Sequence, residues 1–174
     1  YFKEDPDRLT RTFVRAFNYL AFIGLPLALG IIALAPELVI KLYTQEFSFA
    51  ILPLQVLVAS LPFLFINFSL SSFLNATNRQ KINTRNLGIT MLLNVVLNII
   101  LIQRLGIWGA SLASSISTLF LFSLNLKAVL AVIKVKWSRF SPLLGAIISS
   151  GLMFALVWYG KDMIYWPLTI VLGI

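Results

Sequence analysis

Residues 47–78 read FSFAILPLQVLVASLPFLFINFSLSSFLNATN, 32 consecutive positions between Glu46 and Arg79 without a charged side chain. A bilayer core is about 30 Å thick, and a helix rising 1.5 Å per residue crosses it in roughly 20 residues. Four further gaps of spanning length surround this one. No charge occurs between Arg15 and Glu37 (21 residues), Arg85 and Arg104 (18), Arg104 and Lys127 (22), or Arg139 and Lys161 (21). Five such gaps in series dictate an all-α, polytopic transmembrane bundle.

Composition agrees. The chain is 59% hydrophobic and 11% charged, with a mean hydropathy of +0.92, whereas soluble domains are about 25% charged. The net charge of +8 therefore has to be read loop by loop, not as a nucleic-acid signal. Without Cys or His the chain lacks disulfides, thiolate ligands, the commonest zinc ligands and the usual proton shuttle of neutral pH.

The gaps predict spans at about 17–40, 51–74, 86–102, 107–126 and 140–159, and an incomplete sixth at 165–174, all within one transmembrane lobe, 1–174. Tyr165–Ile174 supplies ten residues, half a span. With Tyr1 in place of a start residue, the chain reads as an interior or C-terminal piece of a longer protein. Pro26, Pro36 and Pro62 fall inside spans, where each removes a backbone donor and favours a kink. Asp7 is placed to cap the first helix, and Asn75–Arg85 reads as a polar connection.

Lys and Arg alternate in number between successive connections. The lead-in carries Lys3, Arg8, Arg11 and Arg15, followed by Lys41 alone. Arg79, Lys81 and Arg85 come next, then Arg104 alone, then Lys127, Lys134, Lys136 and Arg139, and finally Lys161 alone. The positive-inside rule puts the rich set, and the N-terminal lead-in, in the cytoplasm.

Few residues offer chemistry. Asn86, Thr90, Asn94 and Asn98 recur every four positions and share one face of the third span. Unpaired amides in hydrocarbon cost several kcal/mol each, so this face meets protein or water, as interhelical bonding or as the wall of a polar cavity. Gly109 and Ala113 have small-xxx-small spacing, which suits close helix packing. Arg79, Lys81 and Arg85 are a topology signal or a docking place for a phosphate. Glu37 is an interfacial anchor, with Lys41 one turn on, or a functional carboxylate such as a coupling-ion site. Asp5-Pro6-Asp7 has the spacing of a metal-binding pair, but no nucleotide-binding domain surrounds it. Nothing in the sequence forms a phosphate loop, a nucleophile–base pair, a metal cluster or a cofactor site.

Several stretches together resemble one family: Glu4–Asp7 before a basic helix, Gly24–Ala28 with Ala35–Glu37 and Leu42-Tyr43, Phe73–Lys81, and Asn94–Asn98 with Leu101-Ile102 and Gly106–Ala113. The chain resembles the C-terminal half of the Wzx-type flippases of lipid-linked oligosaccharides, in the superfamily of the MATE exporters and lipid II flippases. The likeness runs over about residues 1–126. It implies the second lobe of a two-lobed, MATE-like transporter and, as partners, a lipid-linked glycan substrate, membrane lipids and the N-terminal lobe of the same protein, with no nucleic acid. It places the protein in the cell membrane, working by alternating access, and is not an enzyme's pattern. Substrate contacts fall to Arg79, Lys81, Arg85, Asn94 and Asn98, and the coupling-ion candidate is Glu37. Gln103 departs from the family's frequent Pro before the turn. A multidrug or lipid II exporter stands beside this reading. A glycan polymerase or ligase would show a large, polar outer loop, and every outer loop here is short.

Overall fold

A computed structural model describes residues 6–133, 145 and 147–156. Five α-helices follow one another: α1 (Pro6–Tyr43), α2 (Ile51–Ala59), α3 (Leu61–Ala76), α4 (Gln80–Leu105) and α5 (Ile107–Leu130). A 3-10 helix, Gln45–Ala50, links α1 to α2, and a sixth helix, α6, spans Ile147–Leu156. No strand occurs among the described residues.

Among the described residues, four helical units are long and apolar enough to cross a membrane: Arg8–Tyr43, Gln45–Ala76, Gln80–Leu105 and Ile107–Leu130. The expected count of five full spans and a sixth is therefore not matched. Of the fifth, 140–159, the structure describes Gly145 and α6, and the rest of it and 165–174 lie outside the described residues.

Three expected boundaries move. α1 already includes Pro6, so Asp7 lies within the helix and does not cap it, and the helix continues through Pro26 and Pro36. The second span divides at Ser60, whose N–H bonds the Leu57 carbonyl at 3.2 Å, three residues back, instead of extending the α-helical ladder. Pro62, without an N–H, starts the new helix in its first turn. The third span begins at Gln80, not Asn86, so Lys81 and Arg85 are helical residues.

That last shift comes from a tight turn. Asn78 has φ 59°, a left-handed conformation that Asn tolerates. The Arg79 N–H then reaches the Leu74 carbonyl at 2.8 Å and the Asn78 N–H reaches Asn75 at 3.2 Å, closing α3 with a Schellman motif. α4 restarts at once. The α4–α5 turn is shorter still, with Gly106 alone between the helices at φ 57°.

The core joins α1, α3 and α5. Phe13, Val14, Phe17 and Ala21 pack on Ile66, Leu70, Phe73 and Leu74, and Val129 and Ile133 close one side. Phe13 and Phe73 rings lie 4.9 Å apart, so the start of α1 meets the end of α3. Farther along, Gly24 touches the helix break, where a Cβ would lie 3.2 Å from Pro62 Cα. α4 is built the other way round. Its buried residues are the polar Asn86 and Thr90, while Leu87, Met91, Leu92, Val96 and Ile99 are exposed. That inverted pattern suits hydrocarbon on the outside and hydrogen bonding within.

Candidate functional site

The turn that ends α3 and starts α4 also builds a cleft. Asn75 comes from the last turn of α3, and Gln80, Lys81, Asn83, Thr84 and Arg85 come from the first turns of α4. Together they line an open space of about 780 Å³. Two cations, two hydrogen-bonding side-chain classes and the positive end of the α4 dipole converge there, a donor-rich setting for an anion. Of the three expected cations the structure brings Lys81 and Arg85 together on this wall. Arg79 is exposed in the turn and is not part of the lining.

Beneath the cleft lies a group of asparagines. Asn83 Nδ2 donates to Asn75 Oδ1 at the rim, 3.3 Å away. Asn125 of α5, fully buried, donates to Asn67 Oδ1 at 3.3 Å and toward Asn83 Oδ1 at 3.5 Å, and accepts from Asn86 Nδ2 at 2.9 Å. Asn125 thus ties α5 to both α3 and α4. Sequence reasoning missed Asn67 and Asn125, because neither recurs with another amide at helical spacing within its span.

The remaining amides of the α4 stripe are half-buried along α5. Asn94 donates to Ser117 Oγ at 3.1 Å and to the Ala113 carbonyl at 3.4 Å. Asn98 donates back to the Asn94 carbonyl at 2.8 Å and to its side-chain oxygen at 3.0 Å. Asn94 thus points toward α5, while the bonds of half-buried Asn98 stay within α4. Gly109 sits on the same seam. A Cβ there would collide with the Leu101 carbonyl and come within 2.7 Å of the Ile102 nitrogen.

Charge is arranged by end. The antiparallel order of helices puts Arg8, Arg11, Arg15, Arg79, Lys81, Arg85 and Lys127 toward the cleft end and Lys41 and Arg104 toward the other. Glu37 is half-buried in the second half of α1, far from the cleft. Near it, Val39 and Tyr43 join Phe47, Leu54, Leu57 and Ile107 around an apolar cavity of about 430 Å³. A third space, about 410 Å³, is lined by Arg15, Asn18, Tyr19 and Phe22 of α1.

No group of three or more metal-ligating side chains occurs among the described residues. A family model, MatE, matches residues 3–100, more than half of the chain. The chain belongs to the MatE family. It is a multi-pass membrane transporter of the MATE superfamily. No curated protein and no solved structure matches it. The MatE match takes in α1 to most of α4, so the cleft and the α1 cavity both lie inside the MatE region, while α5, with Asn125, follows it.

Proposed function

We propose that this MatE chain serves a flippase that turns a lipid-linked oligosaccharide across the plasma membrane for polysaccharide biosynthesis, by alternating access. The observation that carries the reading is the cleft, where Lys81 and Arg85 stand with Asn75, Gln80, Asn83 and Thr84 at one end of the bundle. A pyrophosphate linking lipid to glycan needs such donors at its loading side, and Arg in particular grips phosphate with two parallel hydrogen bonds. The crowding of cations at that end supports a cytoplasmic N-terminus, which makes the cleft the loading side. Arg79 stands at the entrance. Asn94 and Asn98 supply amides to the glycan hydroxyls, Glu37 serves the coupling ion, and the N-terminal lobe of the same protein faces this one across the pathway. Broken helices and polar seams suit a rocking bundle.

A second reading, a multidrug exporter, is favoured by the apolar cavity around Tyr43, Phe47 and Leu57, whose chemistry fits an apolar drug. One paired experiment separates them. The whole protein is expressed in a strain lacking its oligosaccharide flippase and in one lacking its drug exporters. Restored surface polysaccharide with unchanged ethidium sensitivity supports the flippase. Restored ethidium resistance alone overturns it.

A further inference from the structure

α3 is hinged at one end and turned back at the other. At Ser60 the ladder from α2 stops, and Gly24 of α1 bears on Pro62 at the break. At the far end Asn78 turns the chain into α4. Between them Asn67 is buried, 5% exposed. Its Oδ1 accepts from Asn125 Nδ2 at 3.3 Å, while its own Nδ2 has no hydrogen-bond partner among the described residues. A buried donor left unspent inside a membrane bundle is costly and calls for a reason. Turning the amide over brings no remedy, because it would set one NH2 against another. The same Asn125 Nδ2 also points at Asn83 Oδ1, 3.5 Å away, at the limit of a hydrogen bond. An unserved donor on α3 and a poorly served acceptor on α4 therefore flank one nitrogen of α5. Asn83 in turn belongs to the cleft wall, and its NH2 ties α4 to Asn75 of α3 at 3.3 Å.

We propose that Asn67, Asn83 and Asn125 form a two-position latch through which an anion in the cleft moves α3. In the observed position α3 is held to α5 through Asn67 and Asn125. In the other, Asn67 Nδ2 donates to Asn83 Oδ1, so the unspent donor is paired and α3 swings about Ser60 from α5 toward α4. The exchange trades one long hydrogen bond for another, which keeps the two positions close in free energy, as a switch needs. A phosphate at Lys81 and Arg85 takes the Asn83 NH2, since a charged oxygen is a stronger acceptor than an amide oxygen. That breaks the tie to Asn75 and leaves Asn83 Oδ1 facing inward. The anion therefore binds the second position better, and by that difference shifts the balance. Interhelical glue alone would leave no buried donor unspent. The anion as part of a lipid-linked cargo rests on the flippase reading above; the exchange of partners rests on the amide geometry.

The test is a distance measurement between nitroxide labels on the whole protein in nanodiscs, with inorganic pyrophosphate as the probe. Ser72→Cys with Ser123→Cys reports α3 against α5, and Ser72, farther from Ser60 than Asn67, moves more. Met91→Cys with Ser123→Cys reports the α4–α5 seam, which should keep one distance. Two distances are expected for the first pair. Pyrophosphate should raise the ratio of longer to shorter about fivefold or more, the lower end of ordinary coupling between sites. Asn67→Leu leaves the cleft lining intact yet should abolish this response, and Asn83→Ala should leave the shorter distance alone. Asn83 is only half-buried, so its variant carries the test even where Asn67→Leu fails to fold. A single α3–α5 distance with and without pyrophosphate overturns the latch, as does a response that survives Asn67→Leu or Asn83→Ala. Two distances that pyrophosphate does not rebalance overturn control from the cleft. Polysaccharide export by a protein with one fixed α3 position removes the latch and leaves the flippase standing, while a pyrophosphate-driven shift without export does the reverse.

Discussion

Gln55 Nε2 donates to the backbone carbonyl of Ile32 at 3.0 Å, and Ile32 is the residue four before Pro36. In an uninterrupted helix that carbonyl would accept the N–H of residue 36, which proline lacks. A side chain from α2 therefore supplies the hydrogen bond that α1 gave up. The break between α2 and α3 is handled alike. The Ser60 N–H turns to Leu57, and the Val56 carbonyl is met by Ser115 Oγ from α5 at 3.0 Å. Both contacts tie an interrupted helix to its neighbour, so the interruptions become crossing points of the bundle.

Gln55→Leu should cost about 1–2 kcal/mol, the worth of a strong interhelical hydrogen bond in a membrane. The decisive measurement is a double-mutant cycle with Pro36→Ala, read by thermal or denaturant unfolding in detergent. Alanine restores the N–H at position 36, so Gln55→Leu should cost less in that background. An equal cost in both backgrounds would show that the Ile32 carbonyl is not what Gln55 serves.

Asn125 should be the least replaceable amide. Asn125→Leu strands Asn86 Nδ2 and removes the bond to Asn67, leaving buried polar groups on two other helices. Asn94→Leu breaks contacts with Ser117 and Ala113 and the side-chain bond from Asn98, whereas Asn98→Leu breaks bonds within its own helix alone. Melting temperatures should fall in the order Asn125, Asn94, Asn98. An Asn98 variant as damaged as the Asn125 variant would refute the assigned hub.

The membrane-length helices from α1 to α5 were legible because they are written locally, as runs without charge. The α4 stripe was legible because Asn86, Thr90, Asn94 and Asn98 follow one helix's period. The start of α4 was misplaced because Lys81 and Arg85 precede the charge-free run that begins at Asn86, although a helix continues past a membrane boundary wherever its cations reach the headgroups. The pairing of Asn67 with Asn125 is separated by 58 residues and leaves no periodic trace. Gln55 likewise looks like a single polar intruder until Pro36 is placed beside it.

Two glycines should respond with opposite signs. Nothing lies within 4 Å of a Cβ placed on Gly88, whereas one on Gly109 meets the α4 backbone at Leu101 and Ile102. Gly88→Ala should stabilise by about 0.5–1 kcal/mol through helix propensity. Gly109→Ala should destabilise, since backbone cannot move aside as a flexible side chain can, and Gly109→Leu should do more harm. Loss of stability at both positions in equal measure would remove the close approach of α4 and α5.

The absence of native cysteine makes topology directly measurable. Single cysteines at Ser48, in the 3-10 connection, and at Asn83, in the first turns of α4, should react with an impermeant maleimide from opposite sides. Ser48 should label in intact cells and Asn83 in inverted vesicles. Labelling from one side alone would overturn the sidedness inferred from the cations, and with it the cytoplasmic N-terminus.

The cleft makes the three cations unequal. Lys81 and Arg85 share its wall with Asn75 and Asn83, while Arg79 stands in the turn outside the lining. If a phosphate is loaded there, the Lys81→Gln, Arg85→Gln double variant should lower export about tenfold or more, as expected for losing charge-assisted hydrogen bonds. Arg79→Gln, removing a solvated charge, should change export little. Insertion should stay normal in each case, because Arg8, Arg11 and Arg15 still mark the same side. The comparison is polysaccharide export in the flippase-deficient strain, alongside cysteine labelling for topology. Raising ionic strength in a vesicle assay should depress the wild type toward the double variant, since exposed cations are screened over about 8–10 Å. A double variant that inserts correctly and exports at the wild-type rate would leave Lys81 and Arg85 with a topological role alone.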